Sequence, residues 1–150
     1  MANASYSVCF TPGQDCEGLI AREIGQAKDS ILLQAYSFTS APIAKALMEA
    51  KQRGVDVRVI LDKSQRTEKY TGATFLKNVG IPVVIDEQPA IAHSKVLVVD
   101  QQTVLTGSFN FTRSAQRRNA ENLIVIKGDP NLARAYAENW NTRWNASVAY

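Results

Sequence analysis

The chain has 150 residues, 45% of them hydrophobic and 21% charged, with a formal net charge of +3. This is enough apolar material for one globular domain, residues 1–150, with a real core. It excludes a low-complexity chain, and no apolar run approaches the length of a membrane span. The mildly basic balance tolerates a polyanionic substrate without demanding one.

In chain order, Ser5–Phe10 reads as a short strand and Asp15–Asp29 as a helix, with Leu19, Ile20, Ile24 and Ala27 at helical spacing. Ile31–Phe38 is a strand. Ser40 caps the next helix, with Pro42 in its first turn and Gly54 just past its end. Val55–Asp62 is strongly β, Thr67–Val79 is helical with Gly80 as its stop, and Ile81–Asp86 is a strand. Lys95–Val99 and Thr103–Asn110 form a hairpin, and Asn122–Lys127 is a further strand. Asp129-Pro130 starts the last helix, whose Leu132, Tyr136, Trp140 and Trp144 stripe is core rather than a stacking platform for bases. Strands alternating with helices, then a hairpin, predict an α/β fold. Its mixed, largely parallel sheet of about seven to eight strands lies between helical layers.

The chemistry concentrates in one stretch. His93, the single histidine, opens His93-Ser-Lys95-x4-Asp100, and Gly107-Ser108-x-Asn110 follows. If Asp100 pairs with Thr103, Lys95 falls opposite Ser108 and His93 opposite Asn110. Alternation along strands then puts all four polar groups on one face at the open end of the hairpin. Asp100, of opposite parity, points away and holds the hairpin and nearby backbone.

A neutral imidazole is a competent nucleophile at phosphorus, and its conjugate acid can protonate a leaving alkoxide. Lys95 and Asn110 can donate to phosphoryl oxygens as charge builds, and Ser108 can do the same or hold the ring. Glu121, opening the strand Asn122–Lys127, is the best nearby carboxylate to orient the second imidazole nitrogen. In the following loop, Arg113, Arg117 and Arg118 can grip flanking phosphates. Tyr36, in the segment joining a strand end to a helix start, lies where ligands often sit in such sheets.

The run His93-x-Lys95-x4-Asp100-x6-Gly107-Ser108-x-Asn110 resembles the signature of the phospholipase D superfamily at every motif position. Gln34-Ala-Tyr36-Ser-Phe38-Thr-Ser and Arg53–Asp62 are similar to segments that precede the motif in that family, so the resemblance covers nearly the whole chain. In length and layout the chain looks most like the family's small bacterial Nuc-type endonucleases. The resemblance implies a phospholipase D-like fold and a phosphodiesterase working through a phosphohistidine intermediate without metal or other cofactor. In it Asp100 and Gly107 are structural members of the motif. Most family members carry two copies of the motif; this chain carries one. That shortfall, and a mechanism asking for two imidazoles, predict a homodimer with its active site at the two-fold interface.

Cys9 and Cys16 lie seven apart, close enough for a disulfide between the first strand and helix or for two free core thiols. With the histidine committed elsewhere they fall short of a zinc ligand set. The opening Met-Ala-Asn-Ala-Ser lacks the apolar segment of a secretory signal. Ala-x-Ala is the kind of sequence found beside a signal cleavage site, which suggests a periplasmic or secreted mature form. The expected function is cleavage of DNA, with RNA as a further substrate, at little sequence preference and without membrane attachment. A phospholipid headgroup hydrolase is the second reading. A non-catalytic nucleic-acid-binding module is the third, disfavoured because every polar group of the motif is present.

Overall fold

The computed structural model describes residues 3–68 and 71–150. Met1 and Ala2 of the opening segment lie outside them, as do Lys69 and Tyr70 within the expected helix 67–79.

The strands are β1 (Ser5–Thr11), β2 (Ser30–Ala35), β3 (Asp56–Asp62), β4 (Val83–Asp86), β5 (Val96–Val99), β6 (Thr103–Gly107), β7 (Glu121–Lys127) and β8 (Val148–Ala149). The helices are α1 (Cys16–Gly25), α2 (Ala41–Gln52), α3 (Ala73–Asn78), α4 (Arg113–Arg117) and α5 (Pro130–Ala146). All eight strands among the described residues form one mixed sheet in the order β1-β7-β6-β5-β2-β3-β4-β8. Parallel pairing is confined to β2–β3 and β3–β4, where α2 and then α3 supply the crossovers; the other described neighbours pair antiparallel. Five strands (β1, β2, β3, β4 and β6) nevertheless run one way, so their carboxyl ends gather along a single edge.

Each face of the sheet carries its own apolar layer. Ile31, Leu33, Val57, Val59, Leu61, Leu97, Leu105, Leu123 and Val125 pack with the buried sides of α1, α2 and α3. Val96, Val98 and Val104 face α5 through Ala133, Leu132 and Tyr136. Trp140 of α5 is buried, and its indole N–H donates to the Leu33 carbonyl at 3.0 Å. Trp144 stacks on it at 4.9 Å, so the aromatic stripe is packing, as expected.

Several boundaries differ from the sequence reading. The first helix ends at Gly25 rather than continuing to Asp29, because the amides of Lys28, Asp29 and Ser30 meet the Asp100 carboxylate. Of the expected helix 67–79, α3 keeps Ala73–Asn78. The Gly72 amide at its start is committed to the Phe38 carbonyl, and a 3₁₀ turn, Lys63–Arg66, precedes it. The loop after the motif contains α4, capped by Thr112.

The hairpin register is corrected by one residue: Val99, not Asp100, pairs with Thr103, and Val96 pairs with Thr106. The turn needs three residues because Asp100 and Gln101 both take left-handed backbone, at φ 53° and 56°, and Gln102 then leads into the strand at Thr103.

Candidate active site

The motif side chains collect at the edge where the five codirectional strands end, the usual position of a site in an open α/β sheet. His93 sits on an irregular segment ahead of β5 and is exposed; Lys95 is buried. The Lys95 ammonium donates to the His93 carbonyl at 2.6 Å and lies 3.0 Å from Nδ1 and 3.3 Å from Nε2 of the ring. The Tyr36 ring packs against the imidazole at 4.7 Å between centroids, with the ammonium 5.7 Å from its own centre. Tyr36 thus forms a wall of the site. Burial pulls the Lys95 pKa below the ordinary lysine value, and the Glu121 carboxylate works against that shift.

By the corrected register a regular strand would turn Ser108 away from Lys95. The strand breaks first, at Gly107, whose φ of +149° suits glycine; a Cβ there would run into the Asn122 carbonyl. Beyond the break the Ser108 hydroxyl donates to Glu121 Oε1 at 2.6 Å and accepts from the Asn122 amide at 3.0 Å. Asn119 Nδ2 donates to the other Glu121 oxygen at 3.0 Å. The sequence reading gives Glu121 the task of orienting the imidazole. Within one chain its two oxygens take Ser108 and Asn119, because it opens β7 beside the end of β6. Asn119 and Asn122 were missed by sequence reasoning, and nothing in their spacing singles them out.

Asn110 lies just past this corner with its side-chain oxygen buried and unpartnered among the described residues. A half-turn of the amide presents two N–H donors from the same spot. Arg113, Arg117 and Arg118 project from α4 and its end into solvent, with no ion pair among the described residues. Asp100 points away from the imidazole, as its parity suggested. It accepts from the Asp29 amide at 2.7 Å, the Lys28 amide at 3.0 Å and the Ser30 amide at 3.1 Å. Burial raises its pKa, but these donors outweigh that and hold it below the usual carboxylate value.

Cys9 and Cys16 form a disulfide, with Cα atoms 5.7 Å apart. The loop it closes supports α4: Thr11 donates to the Ala115 carbonyl at 2.9 Å, and Gln116 donates to the Gln14 carbonyl at 2.8 Å. Asp62, buried at the end of β3, was also missed by the sequence reading. It accepts from the Ala92 amide, next to His93, at 2.7 Å.

An imidazole against an ammonium, with a carboxylate-bound hydroxyl just past the end of the neighbouring strand, is a set of groups that suits phosphoryl chemistry. Residues 20–144 match the family described as "Cardiolipin synthase, PLD-like domain". A phospholipase D of Rickettsia conorii is 45% identical over 143 residues, covering 95% of this chain and 71% of that protein. The human mitochondrial cardiolipin hydrolase is 30% identical over 137 residues, covering 91% of this chain and 54% of that protein. The crystal structure of Nuc from Salmonella typhimurium, a phospholipase D family member, superposes with a TM-score of 0.94 at 42% identity over 99% of each chain. The chain belongs to the phospholipase D superfamily, and its activity class is that of a phosphodiesterase.

Proposed function

We propose that this phosphodiesterase is a metal-independent endonuclease of low sequence preference, working as a homodimer with one active site on the two-fold axis. The observation that carries the chemistry is the Lys95 ammonium held against the His93 ring at the open edge of the sheet. A neutral His93 attacks phosphorus, the bond from phosphorus to the leaving oxygen breaks, and a phosphohistidine forms. The protonated imidazole of a second chain gives its proton to the leaving oxygen. It then takes a proton from the water that attacks the phosphohistidine and frees the phosphomonoester. Lys95 and Asn110 bind the phosphoryl oxygens as charge builds on them.

Each chain has one imidazole, so the second must come from another copy. Tyr6, Val8 and Phe10 support that reading: 67%, 57% and 53% exposed, they form an apolar row on β1. The row runs up to Thr11, which pairs with Glu121 at the site. Nucleic acid is favoured by the arginines of α4, and metal independence by an ammonium placed where a divalent cation would be repelled. The disulfide fits a periplasmic or secreted setting.

The second reading, a phospholipid headgroup hydrolase, is favoured by the names of the rickettsial and human relatives. No described helix is long and apolar enough to cross a membrane. The test is incubation with plasmid DNA and with phosphatidylcholine vesicles, each in excess EDTA. The proposal expects nicked and linear plasmid with intact lipid. Choline release without DNA cleavage would replace it with the second reading, and loss of cleavage in EDTA with recovery on added metal would remove the mechanism.

A further inference from the structure

The nucleophile stands on backbone that belongs to no strand or helix: between β4 and β5, residues 87–95 are irregular. Ala92 is buried, while Ile91 and His93 on either side are exposed. What fixes this segment comes from the end of β3. Asp62 is 1% exposed, and its Oδ1 accepts from the Ala92 amide at 2.7 Å while Oδ2 accepts from the Ser64 amide at 3.0 Å. The next residue adds a weaker tie, Lys63 Nζ donating to the Pro89 carbonyl at 3.3 Å. The neighbouring strand supplies an internal contrast. Asp86 pairs in register with Asp62 and is also buried, but its two oxygens take the Arg143 guanidinium at 2.7 and 2.9 Å and so serve α5; its tie to the irregular segment is a long bond from the Gln88 amide at 3.4 Å, at the end of the segment away from His93.

We infer that Asp62 is the positioning residue of the nucleophile: its carboxylate fixes the Ala92 amide, and with it the backbone that carries His93, against the centre of the sheet. The inference rests on the reading of His93 as nucleophile. A carboxylate suits the task because both oxygens accept, and an N–H bond to an ionised acceptor is short and strong. An amide in its place has one acceptor oxygen and one NH₂ group, so whichever way it turns, one of the two backbone donors faces another donor. A shift of about 1 Å at an attacking group costs on the order of 10²-fold in rate.

The test compares Asp62→Asn, Asp86→Asn, Lys63→Ala and His93→Asn with the wild type. Each is assayed for kcat and KM on bis(p-nitrophenyl) phosphate, for thermal stability, and for the ¹H–¹⁵N resonance of Ala92. Asp62→Asn should lower kcat at least about 10-fold with KM within about 2-fold, and move the Ala92 amide resonance upfield. Asp86→Asn should lose stability and keep kcat. A folded Asp62→Asn protein with wild-type kcat overturns the inference, as does an equal loss of kcat in Asp86→Asn, which would make the effect one of general loosening. If Asp62→Asn does not fold, Lys63→Ala decides, with kcat lowered about 2- to 5-fold supporting the inference and unchanged kcat overturning it. His93→Asn separates the two levels: if it stays active the nucleophile reading itself fails, and this inference goes with it.

Discussion

The Lys95 ammonium holds His93 twice, donating to its carbonyl at 2.6 Å and lying 3.0 Å from Nδ1 of its ring. The ammonium also lies 3.3 Å from Nε2. On the mechanism proposed above, Lys95 turns to the phosphoryl oxygens as the phosphate arrives and the His93 ring attacks. His93→Asn should therefore abolish turnover with the fold intact. Lys95→Ala and Asn110→Ala should each lower kcat on plasmid DNA on the order of 10²–10³-fold through weaker charge stabilisation. Circular dichroism checks the fold, and a folded Lys95→Ala enzyme at wild-type rate would contradict the role given to the ammonium.

The rate should fall on the alkaline side earlier than an ordinary lysine would allow. Burial lowers the Lys95 pKa below 10.5 and Glu121 opposes that shift. Activity needing the ammonium is full below the lowered pKa and lost as pH rises through it. Glu121→Gln removes the opposing charge and should move the alkaline limb of kcat/KM to lower pH. A limb that stays put, or moves up, would show that another group sets it.

Asp100 should matter to stability rather than to chemistry. Its folded pKa lies below the unfolded value of 3.8, so the unfolded chain binds more protons as pH falls. The stabilisation is complete above the unfolded value and lost as pH drops through the folded one. Asp100→Asn should cost roughly 1–2 kcal/mol in urea unfolding at pH 7, a difference that shrinks toward pH 2–3, with kcat retained. A large loss of kcat at unchanged stability would move Asp100 into the chemistry.

The arginines of α4 should act on binding. Replacing Arg113, Arg117 and Arg118 together with alanine should raise KM for DNA and leave kcat nearly unchanged. The salt dependence of log KM should flatten by about 0.9 for each phosphate that an arginine no longer neutralises. A salt slope equal to that of the wild type would place the DNA elsewhere.

Much of this was legible because apolar periodicity and motif spacing are local properties. The helix caps at Ser40 and Asp129, the strand character of β3 and β5, and the outward parity of Asp100 follow from residue types a few positions apart. What escaped depends on exchange between distant segments. The end of α1 was decided by Asp100, more than 70 residues away, and the support of His93 by Asp62, 30 residues before Ala92. The hairpin slip came from two left-handed non-glycine residues, which no pattern announced, and the Gly107 break then returned Ser108 to the neighbourhood of Glu121.

Whether two chains share one phosphodiester site is decided by subunit mixing. Folded but inactive His93→Asn chains are exchanged with wild type at a fixed total concentration, and plasmid cleavage is measured against the wild-type fraction. A shared site holding two imidazoles predicts activity that falls as the square of that fraction, because a mixed dimer lacks either the nucleophile or the acid. A linear fall, or full activity in a species that sediments as a monomer, would contradict it.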